Sequence, residues 1–103
     1  QGMREGAVAL SSGLEYEVGS YATTDEVVAL ARAAAGHGGF YISHIRDEAD
    51  KAFDAMREVV TIAERAKLPV QNTHVKLGTV NVWRKAADAL RLFDEARTRG
   101  LDV

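Results

Sequence analysis

"FYISHIRDEAD", residues 40–50, is the stretch on which the reading of this chain turns. Phe40, Tyr41 and Ile42 are aromatic or β-branched, the composition of a strand that packs on a core. The run stops at His44 instead of at a glycine or asparagine, and Arg46, Asp47 and Glu48 follow directly. A second run, "PVQNTHVK" at residues 69–76, stops in the same way at His74, thirty residues further on.

Outward from these runs the chain alternates strands with helices. "AVALSS" (7–12) is a first strand, followed by the glycine-bearing loop "GLEYEVGSYA" and a helix opening at "TTDEVVALARAAAG". Thr23 with Glu26 three residues on forms a capping box, and Val27, Leu30, Ala31 and Ala34 recur at helical spacing. Gly36 fits the left-handed position that ends such a helix. After the strand 40–44, a helix is expected over about 49–67, with Phe53, Met56, Val60 and Ala63 as its apolar stripe and Leu68-Pro69 as its stop. The strand 69–74 and the loop "LGTVN" precede a third helix over about 82–99. Trp83, Ala86, Leu90 and Phe93 line its apolar face, Gly100 stops it, and "RGLDV" reads as a further strand beginning. Strand–helix units repeating every thirty or so residues indicate a parallel α/β sheet.

The 103 residues leave room for one domain, and hydrophobic residues at 47% are enough for a core. Thirteen basic against 15 acidic residues leave a formal charge of −2, which gives no electrostatic footprint for nucleic acid. No basic amphipathic stretch suggests a membrane surface, and no targeting or membrane-spanning run is present. Without cysteine the chain offers no disulfide, thiolate ligand or thiol nucleophile. The opening "QGMREGA" has no initial methionine, and both ends are expected to continue into a longer protein.

In a parallel α/β arrangement ligands gather at the carboxyl ends of the strands. His44 and His74 each stand at such an end, on strands about 4.8 Å apart if they are neighbours. Two readings are open: the imidazoles meet at one metal ion, or each closes its strand by hydrogen bonding to a nearby loop. His37, in "GHGG", follows a helix and precedes a strand. It belongs to the opposite face, helped by the negative end of the preceding helix.

"MREGAVALSSGLEY", then "GGFYISHIRDE", then "PVQNTHVK" resemble the N-acyl-D-amino-acid deacylases (D-aminoacylases) of the metal-dependent amidohydrolases. The motifs follow in the same order with the same thirty-residue spacing, and the match spans essentially the whole chain. The resemblance implies a partial (β/α)8 TIM barrel, with residues 1–103 a fragment of one catalytic barrel domain holding the fourth to sixth strands. It implies zinc held by His44 and His74. Tyr16 matches a family tyrosine near the substrate, although an aromatic lid over the strand end is an equal alternative. Lys76 matches a lysine that meets the carboxylate of an acyl-amino acid; a solvated loop lysine is its other reading. Arg46, Asp47 and Glu48 are expected behind the site, as an ion-paired helix N-terminus more than as substrate contacts. Asn72, placed on one strand face with His74 by the two-residue period, orients the site or fills the barrel interior.

The family's HxH, the cysteine that completes its metal site and its late aspartate are absent from these residues. The expected function is thus that of a fragment of a cytoplasmic zinc hydrolase. It cleaves the linear amide of small-molecule N-acyl-D-amino acids, with no nucleic-acid or membrane partner, and the isolated fragment is expected to be inactive. A cyclic-amide hydrolase of dihydroorotase or hydantoinase type and a non-catalytic α/β binding module are the alternatives.

Overall fold

A computed structural model describes all residues 1–103. Three strands, β1 (Ala9–Gly13), β2 (Phe40–His44) and β3 (Val70–Asn72), form one parallel sheet in the order β1-β2-β3. Each is followed by a helix: α1 (Thr24–Ala35), α2 (Ala52–Ala66) and α3 (Ala86–Thr98). Short 3-10 turns span Gly2–Glu5 and Gly19–Tyr21. Parallel neighbours need a long crossover, and the helices supply it. No helix is long and apolar enough to cross a membrane.

The register decides which residues share a face. Leu10 lies beside Tyr41, which lies beside Val70, while Ser11 lies beside Ile42, which lies beside Gln71. Tyr41, Ser43 and Val70 are buried, and Tyr41 and Val70 join one apolar cluster with Val28 of α1, Met56, Val59 and Ile62 of α2 and Phe93 of α3. The helices therefore cover that face. The other carries Ser11 and Gln71 exposed and Ile42 half-buried. Ile42 and Val70 thus stand on opposite faces of the sheet. Truncating Met56 or Ile62 to alanine would cost about 2–5 kcal/mol, because each is fully enclosed.

The capping box is present: Thr23 Oγ1 accepts from the Glu26 amide, and the Thr23 amide donates to Glu26 Oε2 at 2.7 Å. The Thr23 amide and then the Thr23 hydroxyl, both donating to Glu26 Oε2, hold the Glu26 carboxyl below its ordinary pKa. Gly36 is right-handed and only caps; Gly38, at φ 72, makes the left-handed turn. Leu30 is exposed and Val28 takes the buried place, since 27, 28, 31 and 34 define the inward stripe. α2 begins at Ala52 rather than 49, because Asp47 Oδ1 accepts from the amides of Ala49 and Lys51 and holds the preceding turn. α3 begins at Ala86, and its buried stripe is Ala89, Phe93 and Ala96, leaving Trp83, Ala86 and Leu90 exposed. Gly100 has the left-handed φ of 87 that a helix stop needs. Residues 101–103 are not a strand, yet the Val70 amide donates to Asp102 O at 2.9 Å, so they lie along the free edge of β3. His37 hydrogen-bonds the Ala33 carbonyl at 3.0 Å in the turn after α1, away from the carboxyl ends of the strands.

Candidate metal centre

His44 is the last residue of β2 and shares the uncovered face with Ile42. The ladder continues past it, as the Leu14 amide donates to His44 O at 3.0 Å and the Thr73 amide to Ser43 O at 2.9 Å. β3 itself stops at Asn72, so His74 is not a strand residue, and the two-residue period does not place it on a face with Asn72. His74 instead adopts a left-handed φ of 36. That conformation is costly for a residue with a Cβ, and such strain persists where surrounding structure over-determines it. The turn brings His74 Nε2 to 3.1 Å from His44 Nδ1, with ring centroids 4.7 Å apart.

Glu48 is the third member. Ligand atoms of His44, Glu48 and His74 all lie within 4.8 Å of one another. Its side chain is only 10% exposed, and Oε1 stands 2.8 Å from His74 Nδ1 and 3.8 Å from His44 Nδ1. Oε1 nonetheless has no hydrogen-bond partner. Oε2 is ion-paired to Lys76 Nζ. A buried carboxylate oxygen without a donor carries a desolvation cost that a cation would relieve. The donor set fits a cation in spacing too: zinc–nitrogen bonds of about 2.0–2.1 Å at a tetrahedral centre set two ligand nitrogens about 3.3–3.4 Å apart. At 3.1 Å the imidazole nitrogens need little adjustment.

Glu48 was expected only behind the histidines, as part of a charged helix start; its burial and closeness to both rings add it to the groups that could hold a metal ion. No residue spacing carried that signal, because Glu48 reaches the rings only on a segment that curls back over the strand end. A close contact with Gly78 holds it there. The Gly78 amide donates to Glu48 O at 2.7 Å, and a Cβ on Gly78 would come within 2.8 Å of that oxygen.

The other expected residues divide by position. Tyr16 is at the site: its ring centroid is 4.7 Å from that of His44 and its hydroxyl 3.4 Å from His44 Nδ1. Lys76 is at the site through its pairing with Glu48. Arg46 points elsewhere, with Nε and Nη2 on Glu58 at 2.8 and 2.9 Å, Nη1 on Ser20 O and Nη2 on Ala22 O. Asp47 caps the turn before α2. Asn72 is half-buried, with Oδ1 unpartnered and Nδ2 within 3.5 Å of Thr73 O. Glu15, which the sequence reading passed over, approaches His44 Nε2 to 2.5 Å.

Below the site a buried polar row reinforces β2. Ser12 Oγ is 2.6 Å from Tyr41 Oη and 3.0 Å from Ser43 Oγ, and Ser43 donates to His44 O. Burial raises the Tyr41 pKa against the opposing effect of the two serine hydrogen bonds.

No protein-family model matches the chain. It is 38% identical over 101 residues to an N-acyl-D-glutamate deacylase of Alcaligenes xylosoxydans xylosoxydans, covering 98% of this chain and 21% of that protein. Among solved structures it matches the crystal structure of a D-aminoacylase described as defining a novel subset of amidohydrolases. There the TM-score is 0.91 with 29% identity, over 98% of this chain and 21% of the other. It also matches an N-acyl-D-glutamate deacylase from Bordetella bronchiseptica complexed with zinc and a phosphonate mimic of the reaction's tetrahedral intermediate. In that case the TM-score is 0.90 with 36% identity, over 95% of this chain and 21% of the other. The chain spans about a fifth of the length of the curated relatives it matches. Motif order, backbone and whole-chain identity agree: the chain is a homologue of a segment of the N-acyl-D-amino-acid deacylases, within the amidohydrolases.

Proposed function

We propose that this chain is part of the catalytic (β/α)8 barrel of a zinc-dependent hydrolase that cleaves the linear amide of N-acyl-D-amino acids, giving a carboxylate and a D-amino acid. The observation that carries the reading is the convergence of His44, His74 and the unpartnered Glu48 Oε1 at the carboxyl end of a parallel sheet. When bound, zinc supplies a Lewis acid that polarises the scissile carbonyl and lowers the pKa of an attacking water to about 7. His44 and His74 would hold it through Nδ1 and Nε2, the nitrogens that face each other. Glu48 contributes the negative charge that offsets the cation, and Lys76 keeps its second oxygen fixed. Tyr16 stands over His44, where its hydroxyl reaches a substrate oxygen or amide entering from the open face. Lys76 is half exposed, so it can also turn outward to the substrate carboxylate. The linear amide is favoured over a cyclic one because the relatives matched along the whole chain are deacylases.

The test uses the full-length protein. His44→Ala and His74→Ala should each lose zinc by elemental analysis and lose hydrolysis of N-acyl-D-glutamate and other N-acyl-D-amino acids. Full zinc occupancy in both variants would sink the ligand assignment.

A further inference from the structure

We infer that Glu15 is a positioning residue for the metal site, a carboxylate that holds His44 with Nε2 protonated and Nδ1 bare. This rests on the metal reading above and deepens it. Glu15 Oε2 lies 2.5 Å from His44 Nε2, the ring nitrogen that faces away from His74. Imidazole in its neutral form has one donor and one acceptor nitrogen. A carboxylate accepts only, so Nε2 must carry the proton, and Nδ1 then presents its lone pair toward His74 Nε2. Ligating histidines commonly donate their second N–H to a carboxylate in this way, which fixes the ring and raises its basicity.

The surroundings show why Glu15 is held in place. Leu14, immediately before it, is buried and its amide is bonded to His44 O, so the backbone at 14 is registered against the very residue Glu15 contacts. Two glycines let the loop fold onto the strand end. A Cβ on Gly13 would meet the Tyr16 ring at 2.6 Å, and one on Gly19 would meet Gly13 O at 2.1 Å. Only glycine at both positions permits Tyr16 to lie beside His44 while Glu15 reaches the far side of the same ring. The arrangement therefore grips His44 on two sides, through the Tyr16 ring against the imidazole and Glu15 at Nε2.

Zinc affinity of the full-length protein, measured by competition with a chelator, tests this. Glu15→Ala should weaken zinc binding by roughly 10–100-fold, the usual effect of removing such a carboxylate. Glu15→Gln, whose side-chain oxygen can still accept but carries no charge, should fall between it and the parent. A second readout is the imidazole 15N spectrum of the metal-free protein: His44 should show a protonated Nε2 in the parent and a mixture of tautomers in Glu15→Ala. Since Glu15 is exposed, neither variant should lower the melting temperature by more than a few degrees. Parent-like zinc affinity in Glu15→Ala, with His44→Ala losing zinc in the same titration, would overturn this inference alone. Parent-like affinity in His44→Ala would overturn the metal reading beneath it.

Discussion

Replacing Arg46 with methionine should loosen the loop that carries Glu15 and Tyr16 without touching either histidine. Arg46 makes a two-pronged pair with Glu58 at 2.8 and 2.9 Å and donates to Ser20 O at 3.0 Å and Ala22 O at 2.8 Å. Thr24 completes the cluster by donating to Glu58 Oε1 at 2.8 Å. The Glu58 side chain is 10% exposed and that of Arg46 30%. Breaking a buried pair costs about 3–5 kcal/mol, while surface pairs contribute about 0–1. With one partner partly in water, about 2–3 kcal/mol is expected, and that is a drop of several degrees in melting temperature. A pH signature accompanies it. Burial pushes the Glu58 carboxyl up, but the Arg46 hydrogen bonds, the Thr24 hydroxyl and the Arg46 charge together leave it below the ordinary value of 4.5. A depressed carboxyl stabilises the fold above the unfolded value, and that stability is lost as pH falls through the folded one. In Arg46→Met burial acts unopposed by the guanidinium, so acid unfolding should begin at higher pH. Denaturant melts of the full-length protein at neutral and acid pH measure both effects. A stability change under about 0.5 kcal/mol together with an unmoved acid limb would refute the clamp, since surface substitutions fall within that range.

Lys76→Ala should raise KM roughly 10–100-fold for N-acyl-D-amino acids, the loss of one charge-assisted hydrogen bond, and much less for the corresponding amides. Equal losses on both substrates would mean that Lys76 serves only to neutralise Glu48. Gly78→Ala should destabilise the protein by about 1–3 kcal/mol, because the new methyl group is driven against Glu48 O, and should weaken zinc binding as Glu48 shifts. An alanine variant with parent-like melting temperature and zinc affinity would show that the contact relaxes freely.

The strand at residues 40–44 was legible to the residue, because aromatic and β-branched side chains, a preceding glycine pair and the terminal histidine agree. The capping box fixed the start of α1 for the same reason: side chain and backbone groups satisfy each other within four residues. The ends of α2 and α3 were less legible. Asp47 diverts the backbone into a turn that only its hydrogen bonds reveal, and Trp83 and Leu90 look like core residues until the register of α3 is known. In the site, periodicity correctly brought His44 and His74 together but for the wrong local reason. It assumed that β3 runs to 74, whereas a left-handed turn delivers the second imidazole. Glu48 and Glu15 were hidden because charged residues beside loops are usually solvated. Their contacts depend on how two loops fold over one strand end, which no residue period encodes.

The uncovered face bears directly on how the proposed site would be completed. In that proposal His44 and His74 would supply two nitrogens, and Glu48, the third possible donor, already has one oxygen committed to Lys76. Catalytic zinc takes about three protein ligands and keeps a position open for water or substrate. The two strands beside the histidines add no further imidazole: Gly13 lies opposite His44 on β1, and Asn72 ends β3. In the proposed enzyme, any further ligand and the proton carrier would face the site from across the open side of the sheet, above Ser11, Ile42 and Gln71. The edges point the same way. β1 pairs only with β2, and beyond β3 the chain has begun to run alongside at Asp102. A sheet extended at both edges and curled over that face would close as a barrel, which alone removes its unpaired edges. In the proposed barrel the open face of this segment would be the interior, and the histidine pair at its carboxyl end would be where any remaining ligands arrive.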